Sequence, residues 1–356
     1  MTRLRTLVAA SFLGNSVDTR VERLVKDLGG DAVGRPFLEE ILRQLEWLPG
    51  IARPKIEDAE AWAARALATA NRLGLAVLDA SHEHYPEMLR QIVDPPIVLW
   101  VKGDTGTLGA TQVAVVGARA ASPAGLEIAR QLGHDLAQAG LVVVSGMARG
   151  ADAQAHLGAL DAGGRTIAVL GCGADRVYPP EHDLLAARIV ENGAIVSELA
   201  PGAPPRKHHF PLRNRIISGL SRAVVVIEAS DQSGSLITAR AAMEQGRDVL
   251  AVPGGVLSGR SRGCHALIRD GARLVDSVTD VLEEIGWTPA RPAGDSTNKS
   301  LQSSELEETM AAGESYTVDD LSARTGRSTA ALLAELAELE VAGRIARVAG
   351  GSFVKT

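Results

Sequence analysis

Between Glu198 and Glu228 the sequence holds no acidic residue, while Arg206, Lys207, Arg213, Arg215 and Arg222 all fall in that interval. The chain as a whole is acidic, with a formal net charge of −6, so this cationic excess is local. It marks either an anion-binding surface or a solvated basic loop. Its densest part is Arg206-Lys207-His208-His209-Phe210-Pro211-Leu212-Arg213-Asn214-Arg215. Only 3% of residues are aromatic, so Phe210 inside this string is informative. Cations track a phosphate backbone, and an aromatic ring offers a face to an unpaired base. Each such stack is worth about 1–3 kcal/mol, and the combination is how single strands are held. The plainer alternative is a solvated loop whose Phe210 packs inward. Asn214 carries no charge and either fixes the loop or bonds a base edge.

Four more segments have ligand-binding composition. Val116-Gly117-Ala118-Arg119, followed by Ser122 and Pro123, places Arg119 between a strand end and a helix start, where a phosphate or a surface acid would meet it. Val144-Ser145-Gly146-Met147-Ala148-Arg149-Gly150-Ala151-Asp152 has small residues, Ser145 and Gly146 among them, that permit close backbone approach. In its bland reading Asp152 caps the helix or pairs with Arg149, and His156 one turn later is a buried structural histidine. Ser233-Gly234-Ser235-Leu236-Ile237-Thr238 opens a helix whose free N–H groups suit phosphate, or are capped by Ser233 or Ser235. Val252-Pro253-Gly254-Gly255 precedes Arg260, Arg262 and Arg269 in a second acid-free interval. There is no G-x-G-x-x-G after the first strand and no G-x-x-x-x-G-K-[ST] anywhere. No catalytic set, metal site or cofactor is expected. The two cysteines, Cys172 and Cys264, lack ligand spacing.

The elements that must position these loops form an α/β pattern from 112 to about 285. Apolar runs at 113–116, 141–144, 166–170, 194–196, 223–227 and 249–252 alternate with helical stretches at 123–139, 151–162, 181–192, 211–220 and 235–245. Continuous apolar strands separated by helices predict a parallel sheet covered on both faces. The loops after its strands then gather at one edge, where such sheets bind ligands. A strand-like run at 96–101 precedes it. Residues 1–75 read as a helical domain, 76–286 as the Rossmann-like domain and 287–302 as a linker. Leu48-Pro49-Gly50-Ile51 is either a helix–helix turn or the hairpin of a small helical DNA-binding module. Residues 303–356 read as a winged helix, with helices near 303–312, 318–325 and 328–341, then a hairpin turning through Ala349-Gly350-Gly351-Ser352. From residue 301 onward five basic residues face nine acids, and the helix that would enter a major groove carries Glu335, Glu338 and Glu340. Carboxylates repel phosphates, so this domain is not expected to read duplex DNA.

No apolar run approaches the roughly 20 residues of a membrane span, and the N-terminus lacks the marks of a signal peptide. Two cysteines fit a reducing cytosol. The expectation is a cytoplasmic protein with no membrane span.

Several strings together resemble the DprA/Smf family. They are Val-Val-Gly-Ala-Arg (115–119), Val-Ser-Gly-Met-Ala-Arg-Gly-Ala-Asp (144–152) with His156, Gly-Cys-Gly-Ala-Asp-Arg-Val-Tyr-Pro (171–179), Phe-Pro-Leu-Arg-Asn-Arg-Ile-Ile-Ser-Gly-Leu (210–220), Ser-Gly-Ser-Leu-Ile-Thr-Ala (233–239) and Gly-Arg-Asp-Val-Leu-Ala-Val-Pro-Gly (246–254). The resemblance implies an extended Rossmann-like fold, single-stranded DNA binding, a homodimer and a role in loading RecA during DNA uptake and recombination. By motif position Arg119 resembles the family's DNA-binding arginine, and Lys207 and Phe210 its lysine and stacking phenylalanine. Ala118 departs from the pattern, since a serine is usual there, and its absence removes one hydroxyl donor. The expected groove comprises Arg119, Lys207, Phe210, Arg213, Asn214 and Arg215, with Gly117, Ser145, Gly146, Gly234, Ser235 and Thr238 beside it. The enzyme alternative is a nucleotide-binding or nucleotide-hydrolysing protein of the lysine-decarboxylase-like LOG family. That family has a glutamate where this chain has Thr238, and a threonine supplies no carboxylate base.

Overall fold

Valine, isoleucine and alanine dominate the central strands because these are buried on both faces, and β-branched side chains fit a pleated surface. Nine strands form one sheet: β1 (Ala76–Asp79), β2 (Val98–Gly103), β3 (Gln112–Val116), β4 (Val142–Ser145), β5 (Thr166–Val169), β6 (Gly193–Ser197), β7 (Ala223–Val226), β8 (Asp248–Ala251) and β9 (Arg273–Leu274), in the order β1-β2-β6-β5-β4-β3-β7-β8-β9. The computed structural model describes residues 2–13, 20–28, 33–45, 54–289, 306, 309–310, 314–341, 345–348 and 352–355. The chain divides into two compact units, Met1–Pro289 and Ala290–Thr356.

Strands β3 to β9 are mutually parallel, while β1, β2 and β6 pair antiparallel in succession. The strands from 112 onward are parallel, as the sequence predicts, and the sheet is mixed only through β1 and β2, which precede them. The reason is local: only the short 3₁₀ turn Thr105–Gly109 separates β2 from β3, with no crossover helix to return the chain in the same direction.

Val113, Val115, Val143, Val225 and Leu250 point to the face covered by α6 (Pro123–Gln138), α7 (Ala151–Asp161) and α12 (Val278–Glu284). Ala114, Val116, Val144, Val224 and Val226 point to the other face, under α9 (His209–Leu220), α10 (Ser235–Glu244) and α11 (Arg262–Arg269). From β3 the chain thus winds to one side over one face, and from β7 to the other side over the opposite face. The crevice between the carboxyl ends of β3 and β7 is the topological switch point. Helices α1 (Arg3–Leu13), α2 (Arg20–Asp27), α3 (Arg35–Gln44) and α4 (Ile56–Arg72) share a core with Val98, Trp100, Ile195 and α8 (Asp183–Glu191). A short helix, α5 (Glu87–Gln91), lies between β1 and β2. The Leu48–Ile51 turn lies outside the described residues.

The second unit holds a three-stranded antiparallel sheet in the order β10 (Ser315–Tyr316), β12 (Ser352–Lys355), β11 (Ile345–Val348), together with α13 (Val318–Thr325) and α14 (Thr329–Val341). Tyr316, Leu321, Leu332, Leu336, Ile345 and Phe353 are in its core. A capping box starts α13, with the Thr317 hydroxyl accepting from the Asp320 N–H. The strand β10 was not read from the sequence, and most of the expected 303–312 helix lies outside the described residues.

Candidate nucleic-acid interface

Phe210 sits in the first turn of α9, where the twelve-residue helix points its positive dipole end outward. No acid lies in that turn, and Arg206 and Lys207 precede it, both exposed. Side-chain charge and helix dipole therefore add. The Phe210 ring rests on Gly171 in the loop after β5, where an added Cβ would lie 3.0 Å from the ring and press on it. From the same loop the Tyr178 ring lies 5.4 Å from Phe210 at an interplanar angle of 40°. From the loop after β3, the Arg119 guanidinium lies over the Phe210 ring, 5.5 Å from its centroid. Three loops thus bring a cation and two aromatic rings together at one sheet edge. Phe210 is half-buried, Tyr178 is 37% exposed and Arg119 is exposed. An exposed guanidinium and two partly exposed rings thus lie side by side.

Tyr178 was missed as a site residue. Its motif was visible at 171–179, but it carries no charge and lies outside the basic interval. His209, next to Phe210, is buried with Nδ1 3.2 Å from the Gly171 carbonyl oxygen. Burial and neighbouring His208 hold it below the ordinary imidazole range.

Two of the expected groove residues are elsewhere. Arg213 is 5% exposed and runs beneath the β4 loop, donating from Nη1 to the Val169 carbonyl. A Cβ on Gly146 would collide with its guanidinium. Burial lowers its pKa to about 10, opposed by the attraction of Asp152. Arg215 is 8% exposed and pairs with Glu198 at 2.7 Å and Asp94 at 3.3 Å. The two arginines lie about 200° apart around α9 and are buried in different directions, Arg213 toward the β4 and β5 ends and Arg215 toward Glu198 and Asp94. They are internal struts, and neither lines an exposed groove.

The remaining predicted residues divide similarly. Ser145 is buried and donates to the Val115 carbonyl at 2.6 Å. Gly146 is buried, and its N–H and that of Ala148 donate to the Asp152 carboxylate at 3.1 and 3.4 Å. Asp152 is thus turned inward, where burial raises its pKa, and Arg149 instead pairs with Glu181. Gly117 meets Ala151, whose methyl would lie 2.7 Å from an added Cβ. Asn214 donates to the Gly234 carbonyl at 3.4 Å, tying α9 to the start of α10. Gly234 is exposed, whereas Ser235 and Thr238 are buried. The Ser233 hydroxyl lies 2.7 Å from that of Ser235 and accepts from the Ser235 N–H at 3.4 Å, while Gly234 is the N-cap of α10. His156 is fully buried with Nδ1 2.7 Å from the Thr166 hydroxyl, and burial lowers its pKa to about 3, which makes it a neutral structural histidine.

The start of α6, beside Arg119, already carries an anion. The Glu228 carboxylate, 6% exposed, accepts from the Ser122 N–H at 3.2 Å and from its hydroxyl at 2.6 Å. Among the described residues no group of three or more histidine, cysteine, aspartate or glutamate side chains is placed to hold a metal.

A family model for DNA recombination-mediator protein A matches residues 76–286, and a DprA winged helix domain model matches 304–351. The chain is 38% identical over 359 residues to protein Smf of Escherichia coli K12, covering 98% of this chain and 94% of that protein. The chain belongs to the DprA/Smf family. Its second unit is the family's winged helix. The chain is also 50% identical over 200 residues to the DNA processing protein DprA of Streptococcus pneumoniae R6. That match covers 56% of this chain and 71% of the pneumococcal protein. A crystal structure of Streptococcus pneumoniae DprA aligns with a TM-score of 0.68 at 38% identity, covering 80% of this chain and 98% of that one. A structure of the Helicobacter pylori DprA, described for its single-stranded DNA binding mode, aligns with a TM-score of 0.54 at 30% identity, covering 59% and 95%.

Proposed function

We propose that this chain binds single-stranded DNA at the edge where Arg119, Lys207, Phe210 and Tyr178 meet. The observation that carries the reading is the convergence of a cation and two aromatic rings, from three separate loops, beside an exposed lysine and an unopposed helix dipole. Bases stack on the rings, and Arg119 and Lys207 follow the phosphates. Duplex DNA hides its base faces, so the same surface favours unpaired strands. The Helicobacter pylori relative's single-stranded binding supports this reading. Family membership supports a wider role as a recombination mediator acting on incoming DNA in the cytosol, as a homodimer that assists RecA.

The chain acts by binding and not by catalysis in this proposal. Thr238 is buried and offers no carboxylate, and the Glu228 carboxylate is engaged by Ser122. Incubation with nucleoside monophosphates is expected to release no base. The binding reading is tested by titrating salt against single- and double-stranded oligonucleotides of equal length. Tighter binding to the single strand at every salt concentration is expected, and equal or tighter binding to the duplex contradicts it.

A further inference from the structure

In a doubly wound sheet a ligand's phosphate sits at the switch point, on the N-terminus of the helix that follows the first strand of the winding. Here that place lies between the ends of β3 and β7, at the start of α6. A side chain of the protein fills it. Glu228 follows β7 and reaches across to the β3 loop, where Ser122 both caps α6 and donates its hydroxyl and N–H to the carboxylate. Gly125 leaves the space: a Cβ there would lie 2.9 Å from a Glu228 oxygen. From the loop after β8, Arg260 comes within 3.6 Å of the carboxylate and donates at 2.8 Å to the Ala120 carbonyl of the same β3 loop. The carboxylate therefore has a helix dipole, two donors from Ser122 and a guanidinium, which is the set of partners a bound phosphate would have. A carboxylate this buried is stable only with such compensation.

We infer that Glu228 is a resident anion, holding the phosphate position of the fold with its own carboxylate and so closing the crevice to nucleotides. The loop bearing Arg119 is pinned at the same time, through Ser122 and Ala120, without any cofactor. The sheet edge is left as the route for a polyanionic strand, which passes over the crevice and not into it. This inference does not depend on the DNA reading, because it concerns only what the crevice holds.

Chemical rescue tests it. Glu228→Ala empties the position and leaves Ser122, Arg260 and the α6 start facing a gap. Inorganic phosphate in the tens of millimolar is expected to raise the thermal midpoint of this variant by about 2 °C or more beyond sodium chloride of equal ionic strength. The unaltered protein should show no such difference, and adding Arg260→Ala to the variant should remove it. Glu228→Ser, which also vacates the carboxylate position but keeps a small polar side chain, carries the same test if the alanine variant does not fold. No extra effect of phosphate on either variant, or an equal effect on the unaltered protein, overturns the inference. So does failure of both variants to fold even in phosphate, because the ion then does not replace the carboxylate.

Discussion

Arg119 and Arg213 occupy one sheet edge and do opposite work. Arg119 is exposed over an aromatic ring, and Arg213 is buried against Asp152 and a strand carbonyl. Removing a buried charge strands its partner, at about 3–5 kcal/mol. Arg213→Ala should therefore lose stability of that order in denaturant unfolding, and Arg213→Met with Asp152→Asn should recover part of it. Arg119→Ala should change stability by about 0.5 kcal/mol or less. If the two arginine variants lose equal stability, the division into strut and ligand-facing residue is wrong. Tyr178→Ala should weaken single-strand binding by up to the worth of one stack, about 1–3 kcal/mol, with the salt dependence unchanged. A flattened salt dependence in that variant would contradict a stacking role. Arg119 stood out in the sequence as a cation at a strand end, and Lys207 and Phe210 as a cation and a rare aromatic in an acid-free basic interval. The burial of Arg213 and Arg215 was not legible, because the carboxylates that attract them, Asp152 on α7 and Glu198 and Asp94 on loops, lie far off in sequence and only the fold brings them near.

At the scale of elements, apolar runs alternating with helical stretches identified the six central strands, since strands buried on both faces have a continuous signature. The edge was less legible. Strand β1 is half-buried along most of its length, and α11 and α12, eight and seven residues long, are too short to display a helical period clearly. The contact between α2 and the core is another feature only the fold reveals. Glu22 on α2 faces Glu198, Asp94 and Arg215, and burial, reinforced by Glu198, raises its pKa to about 7. An acid whose pKa is raised on folding holds its proton in the native state and releases it on unfolding. Its contribution is fully present below the ordinary value near 4.5 and is lost as pH rises to about 7. The full loss is on the order of 3 kcal/mol. Glu22→Gln should then be more stable than the unaltered protein at pH 8 and nearly equal to it at pH 4.5, in thermal melts across that range. Parallel curves would contradict the placement of Glu22.

For the whole molecule, the two units each have their own core, and the candidate interface lies entirely within Met1–Pro289. The winged helix presents Glu340 as an exposed acid on α14, with Glu335 paired to Arg327 at 2.5 Å. A chain ending at Pro289 should keep single-strand affinity within tenfold, or about 1.4 kcal/mol. A larger loss would make the winged helix a principal DNA contact. The proposed homodimer predicts a doubled mass in light scattering at micromolar concentration, and a monomer there would count against it.

The central claim, that cations and rings at one edge hold an unpaired strand, is tested most directly by comparing salt dependence in Lys207→Ala and Phe210→Ala. Lys207→Ala should weaken single-strand binding and also flatten the dependence of affinity on salt, by about the one phosphate contact it removes. Phe210→Ala should weaken binding while leaving that slope in place, because a lost stack releases no counterion. If both variants bind single strands within a factor of two of the unaltered protein, the strand is held elsewhere and the account of this interface is wrong.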